Sequence, residues 1–224
     1  MHDYAMFADG DNVLIGVSGG VDSLTLACLL KLWLEKAPIN LKLTACYIDH
    51  GFWRDADGAA DPGELIGDQL RVYSIPYIVL PEREINGQTR DCFLCARNRR
   101  NQLFDLAEKL CCSTLAMGHH KDDLIETFMI NALYSGNIST MVPKQKLFAG
   151  ALSIVRPMAY LDKKEVRRLA AGLRLKEVQN FCPIAGDTKR EKVREMLRNL
   201  YERESGTKAS LFKALANVRR EYML

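Results

Sequence analysis

Val13-Leu14-Ile15-Gly16-Val17 is a short apolar run that breaks into Ser18-Gly19-Gly20-Val21-Asp22-Ser23 and resumes as a stretch with apolar residues at 26, 29, 30, 33 and 34. A short apolar run, then a Ser-Gly-Gly turn, then helical spacing reads as strand, tight loop and helix. The pattern recurs along the chain, with strands expected at 41–48, 77–80, 114–117 and 152–155 and helices at 23–36, 63–72, 96–110, 122–133 and 162–172. Strands separated by helices need crossover connections. The expected fold is therefore α/β, a doubly wound, Rossmann-like parallel sheet of five strands with helices on both faces. Further on, Val193, Met196, Leu197, Leu200 and Tyr201 share one stripe of a helix over 189–203, and Leu211, Leu215, Val218 and Tyr222 one over 208–222. These C-terminal helices are expected to pack on the α/β body, which divides the chain into 1–180 and an extension, 181–224, within one structural unit. Phe52 to Pro62 and Glu82 to Asp91 read as mobile loops.

The composition suits a globular chain: 224 residues, 48% apolar and 26% charged, with 15 glycines and 7 prolines, which excludes disordered and collagen-like classes. The longest mostly apolar stretch, Leu24 to Leu34, already carries Thr25 and Lys31 and is far short of the roughly 20 residues of a membrane span. No membrane partner is expected. Met1-His2-Asp3-Tyr4 is not followed by a secretory pattern, so a cytoplasmic location is the expectation. In a reducing compartment, seven cysteines point to thiols, metal ligands or catalysis rather than a disulfide framework. The net charge of +3 conceals a split: residues 1–155 carry 14 basic and 19 acidic side chains, and residues 156–224 carry 17 and 9. A basic last third can attract a polyanion.

The loop at 18–23 sits at a strand end and a helix start, where backbone N–H groups and the helix dipole hold an anion. Ser18, Gly19, Gly20 and Ser23 are the candidate phosphate ligands. The loop is neither a Walker A motif nor a Gly-x-Gly-x-x-Gly fingerprint. Asp22 is informative, because a carboxylate among phosphate donors makes sense when it holds Mg²⁺ against them. Cys92-Phe93-Leu94-Cys95 precedes the expected helix bearing Arg97, Arg99 and Arg100, and is open to three readings: half a zinc site, a redox pair or part of an iron–sulfur site. Cys182 lies in a loop, whereas Cys28, Cys46, Cys111 and Cys112 read as packing residues. Three thiolates could bind a [4Fe-4S] cluster and leave one iron without a protein ligand.

The hexapeptide resembles the Ser-Gly-Gly-x-Asp-Ser loop of the N-type ATP pyrophosphatase (PP-loop) superfamily, whose members adenylate a carbonyl-type oxygen. A second signature of that superfamily is matched by Gly118-His119-His120-Lys121-Asp122-Asp123 with Glu126-Thr127. Together with Cys-x-x-Cys, Val142-Pro143-Lys144, Arg156-Pro157-Met158-Ala159-Tyr160 and a late Cys182, the order from about Asp9 to Val218 resembles the TtcA-like group of tRNA 2-thiocytidine synthases. The resemblance implies ATP as substrate, pyrophosphate release, and sulfur transfer to cytidine C2 of tRNA. It implies Cys92, Cys95 and Cys182 as ligands of a [4Fe-4S] cluster, and Asp22 as the Mg²⁺ ligand. Asp122 or Asp123 would orient metal or substrate. Ile48, Asp49, Gly118, His119, Asp123 and Arg156 would contact the nucleotide, with arginines beside the cluster and the basic last third holding tRNA phosphates. A sulfur donor such as a cysteine desulfurase or free sulfide, and a homodimer, complete the expectation. Two positions depart from the pattern: Val21 where the group commonly has Lys, and Ala185 where it tends to carry another cysteine. With Val21 in the loop, cationic charge is expected from Lys121, Lys144 or Arg156. The alternatives are a ligase of the tRNA-lysidine synthetase kind, which shares Gly-His-His-x-Asp-Asp but has no need of three cysteines, and a nucleotide-binding regulatory module without turnover.

Overall fold

Strand β1 (Asn12–Val17) lies at the centre of the sheet with Val13, Leu14 and Ile15 fully buried. The computed structural model describes residues 1–84, 91–183, 188–219 and 221. It adds β2 (Lys42–Asp49), β3 (Tyr77–Pro81), β4 (Thr114–Met117), β5 (Lys144–Leu147) and β6 (Leu152–Val155) in the order β3-β2-β1-β4-β6-β5. All neighbours pair in parallel except β5 with β6, which are antiparallel. The sheet therefore has six strands where five are expected from the pattern. Lys144-Gln145-Lys146-Leu147 carries two lysines and no β-branched residue, a composition that hides a strand but suits an edge, where charge discourages further pairing.

The helices are α1 (Val21–Leu34), α2 (Pro62–Val72), α3 (Cys92–Lys109), α4 (Lys121–Ser135), α5 (Lys163–Gly172), α6 (Lys189–Arg203) and α7 (Thr207–Ala214). Because side chains alternate along a strand, β1 serves two cores. Val13, Ile15 and Val17 pack with Leu24, Leu26 and Leu30 of α1, Ile66 and Leu70 of α2 and Val166 of α5. Leu14 packs on the opposite face with Leu103, Leu106 and Ala107 of α3. Helices thus cover both faces, as double winding requires. Winding runs from β1 outward through β2 to β3 and then crosses back to β4 on the other side of β1, so the strand order reverses between β1 and β4. In sheets of this type, ligands bind outside the carboxyl ends of the strands at that reversal.

Contacts divide the chain into two compact units, Met1–His120 with Pro143–Ile184, and Lys121–Val142 with Ala185–Leu224. The second has its own small core, Ile125, Val193 and Leu197, with Met129, Tyr201, Leu211, Phe212 and Leu215 against it. Helix α7 ends at Ala214, earlier than the stripe suggests. Val218 is exposed, and Tyr222 lies outside the described residues. So does Ala185. Helix α3 starts at Cys92 rather than at 96, because the Asp91 carboxylate accepts from Leu94 N at 2.7 Å and caps it. Of the four cysteines read as packing residues, Cys28, Cys46 and Cys112 are buried and Cys111 is exposed. The 52–62 loop opens with a short 3₁₀ turn, Phe52–Asp55. Most of the other expected loop, 85–90, lies outside the described residues.

Gly118, just past β4, sits against the start of α1. A Cβ there would lie 2.9 Å from Ser23 Cα and 3.0 Å from Ser23 N, and neither backbone atom can rotate away. Gly118→Ala is expected to lower stability by about 1–3 kcal/mol, measured by urea unfolding. Gly172→Ala, in helix α5 with nothing within 4 Å, is expected to be neutral or to add up to about 1 kcal/mol.

Candidate active site

Helix α1 begins at Val21 with Gly20 as N-cap, so its first N–H groups point out of the 18–23 loop, the arrangement that receives an anion. The loop is held from inside. Ser18 N donates to Ser23 Oγ at 3.1 Å, and that hydroxyl donates to Gly20 O at 2.9 Å. Gly19 has φ +80°, and a Cβ on it would meet Val178 Cβ at 3.1 Å and Ile66 Cδ1 at 3.3 Å. Both the left-handed backbone and the close approach require glycine. Val178 N donates to Gly19 O at 2.9 Å, which ties the segment leading to Cys182 directly to the loop.

Asp22, in the first turn of α1, is paired through Oδ2 with Lys163 Nζ at 2.5 Å and lies 3.6 Å from His120 Nε2. Burial pushes the Asp22 carboxyl up, but hydrogen bonds from His120 and Lys163, with their charges, outweigh that and hold its pKa below the usual carboxylate range. Its second oxygen, Oδ1, is buried without a hydrogen-bond partner among the described residues. A buried, unsatisfied anionic oxygen beside a phosphate-type loop fits a divalent-cation ligand.

The ends of β1 and β2, the start of α3 and residues 177–182 enclose one cavity of about 350 Å³. Ser18 and Gly20 line it from the loop, Ile48 and Asp49 from the end of β2, His50 just beyond that end, and Cys92, Cys95 and Cys182 complete the lining. The Asp49 carboxylate accepts from Gly51 N at 2.8 Å and from Arg54 Nη2 at 2.6 Å, so its side chain shapes the wall. His50 Nδ1 lies 2.9 Å from Glu82 Oε1, and the imidazole stacks on Phe52. The Cys92 thiol is raised by burial and then by Cys182, Cys95 and Asp91. Among the described residues, no three His, Cys, Asp or Glu side chains are gathered tightly enough for a single metal ion. The three cysteines instead line a cavity, and a set of thiol donors around a space of that kind fits an iron–sulfur cluster. Arg99 lines the same cavity. Arg156 is 5% exposed, and burial followed by the charge of Arg100 lowers its pKa to about 10.

The acidic residues after Gly118-His119 have cationic partners within the second unit. Asp122 pairs with Lys208 at 2.6 Å, Asp123 lies 3.8 Å from Arg190, and Glu126 accepts from Arg194 Nε at 2.8 Å. Arg190, Arg194 and Lys208 are thus part of the basic last third, but they serve α4. Sequence reasoning did not single them out, nor Lys163, which lies 141 positions from Asp22. Of the lysines considered as phosphate cations, Lys144 Nζ donates to Ala5 O and Lys121 lies over the Phe212 ring at 5.4 Å.

With its pKa lowered, Asp22 adds stability above the unfolded value of about 4, and that contribution disappears as pH falls through the folded value. Asp22→Asn is therefore expected to be less stable than the parent at pH 7. In chemical unfolding followed from pH 7 to 2.5, the gap should close at the acid end.

Residues 3–201 match the family described as a PP-loop domain. The tRNA-cytidine(32) 2-sulfurtransferase of Pelobacter propionicus is 33% identical to this chain, over 99% of the chain and 84% of the relative. The enzyme of that name from Geobacter sulfurreducens is 32% identical, over 99% and 88%. Among solved structures, the U34-tRNA thiolase NcsA from Methanococcus maripaludis with its [4Fe-4S] cluster superimposes with a TM-score of 0.76, covering 96% of this chain and 74% of that one at 24% identity. NAD+ synthetase from Burkholderia pseudomallei superimposes at 0.53, covering 99% and 86% at 17% identity. Both are likenesses of fold.

Proposed function

From the premise that the chain belongs to the PP-loop family, within the group of its tRNA-cytidine 2-sulfurtransferase relatives, we propose that it is an ATP-dependent tRNA thiolase that converts cytidine to 2-thiocytidine. One observation carries the reading: Ser18 and Gly20 of the 18–23 loop, the β2 end and three cysteines line a single cavity. A pyrophosphate-releasing ligase needs the first two. Only thiolation also gives the cysteines work.

The chemistry starts from a poor leaving group. The C2 oxygen of cytidine attacks the α-phosphorus of ATP, the bond to pyrophosphate breaks, and the base is left O-adenylated. A sulfur nucleophile then adds at C2 and AMP departs with the oxygen. Ser18 through its hydroxyl and Gly19 and Gly20 through their N–H groups hold the pyrophosphate with the helix dipole behind them, and Ser23 joins them when its hydroxyl turns from Gly20 O. Asp22, whose Oδ1 is buried without a hydrogen-bond partner among the described residues, would hold Mg²⁺ here, and the cation would supply positive charge for the phosphates. Gly118 and the 48–50 backbone shape the nucleotide wall. Arg99 and Arg100, one turn beyond the cysteines, bind tRNA phosphates while the target base is turned out of its stack into the cavity. Cys92, Cys95 and Cys182 would hold a [4Fe-4S] cluster, which would supply an iron to carry sulfide-level sulfur, drawn from free sulfide or from a cysteine desulfurase together with a two-electron thiol reductant.

Anaerobic reconstitution with iron and sulfide tests the ligand assignment. The parent should develop broad visible absorption with about four irons per chain, and Cys182→Ala should lose most of it. Full iron content in Cys182→Ala would overturn the assignment, and a colourless, active parent would favour a ligase.

A further inference from the structure

The loop that must hold a polyphosphate contains no lysine or arginine: residues 18–23 are Ser, Gly, Gly, Val, Asp and Ser, and their formal charge is that of Asp22 alone. Backbone donors and a dipole do not neutralise several phosphate charges by themselves. The cation that reaches this loop comes from elsewhere in the chain. Lys163 is the first residue of α5, and its Nζ is 2.5 Å from Asp22 Oδ2, with the two side chains 32% and 27% exposed.

Two features fix Lys163 there. The start of α5 is locked by a capping box: the Asp162 side chain accepts from the third-residue N–H, and Asp162 N donates to Glu165 Oε2 at 2.6 Å. One turn later, Val166 is fully buried in the core shared with α1. The helix therefore presents its first side chain to the start of α1, and that side chain remains 32% exposed.

The Asp22 carboxylate consequently has one oxygen on an ammonium, with His120 Nε2 3.6 Å away, and the other buried without a hydrogen-bond partner among the described residues. A divalent cation at Oδ1 competes with Lys163 for the same negative charge. We propose that Lys163 is the cation of the phosphate loop: it neutralises Asp22 in the nucleotide-free protein, and passes to a phosphate oxygen when Mg²⁺ and ATP arrive together and the metal takes the carboxylate. The exchange makes metal and nucleotide binding mutually supporting, because metal alone must displace the ammonium and nucleotide alone finds it engaged. This inference rests on the ATP reading above and assigns the residue that neutralises the nucleotide there. Lys163 is a binding and positioning residue.

Opposite signs in two binding measurements test it. Mn²⁺ alone, titrated and read from the free-ion electron paramagnetic resonance signal, should bind Lys163→Met about tenfold more tightly than the parent, because its competitor is gone. Mg·ATP, titrated calorimetrically, should bind Lys163→Met about tenfold more weakly. Lys163→Arg keeps the charge and should stay within about threefold of the parent for Mg·ATP. A loss of both affinities in Lys163→Met, the mark of a merely structural role, would overturn the inference, as would no change in either. A parent that binds Mg·ATP beside an unaffected Lys163→Met removes this inference and leaves the adenylation reading standing. A parent that binds neither ATP nor pyrophosphate overturns both.

Discussion

Backbone packs on backbone around the start of α1, and the candidate site is arranged about that point. Gly118 brings the end of β4 within contact of Ser23 Cα and N, while Val178 N bonds Gly19 O from the other side. A side chain at 118 would push the strand end off the helix, and one at 19 would push away Val178. Because these approaches involve main-chain atoms, they are stiff. The loop, the β4 end and the cysteine-bearing 177–182 segment are held in one frame, and an active site of several chemistries needs that rigidity.

Charge is distributed on the same plan. The first unit keeps one carboxylate, Asp22, at the phosphate loop with an ammonium from α5 opposite it, while Arg99 lines the cavity and Arg100 lies close enough to Arg156 to lower its pKa. The second unit spends three basic residues on its own acids. The basic excess after residue 155 is therefore smaller as a surface field than a count suggests. What remains for a polyanion includes the exposed Arg198 and Arg203 on α6. Buried or half-buried ion pairs of this sort fix geometry more dependably than they add stability. Glu126, with its side chain 8% exposed between Arg190 and Arg194, is one of them.

The frame was legible because it is local. An apolar run, a glycine hexapeptide and an amphipathic helix are adjacent in the chain, and their order dictates a strand-end anion site. The Cys-x-x-Cys pair and Cys182 were legible as candidates by residue type, and the fold brings them to one cavity. The rest depends on distance along the chain. Lys163 has no motif, only a capping box that fixes where its helix starts. The partners of Asp122, Asp123 and Glu126 come from helices more than sixty residues later, so the acids read as catalytic without the ion pairs that engage them. Strand β5 was invisible because an edge strand is built to be polar, and the early start of α3 turned on a single capping aspartate.

The central claim is that one cavity adenylates a cytidine of tRNA and replaces its C2 oxygen with sulfur. Mass spectrometry of nucleosides from total tRNA, compared between cells carrying the intact gene, cells lacking it and cells complemented with Asp22→Asn, tests this most directly. The account predicts 2-thiocytidine in the first, none in the second and none in the third. Undiminished 2-thiocytidine without the gene, or full restoration by Asp22→Asn, would contradict it.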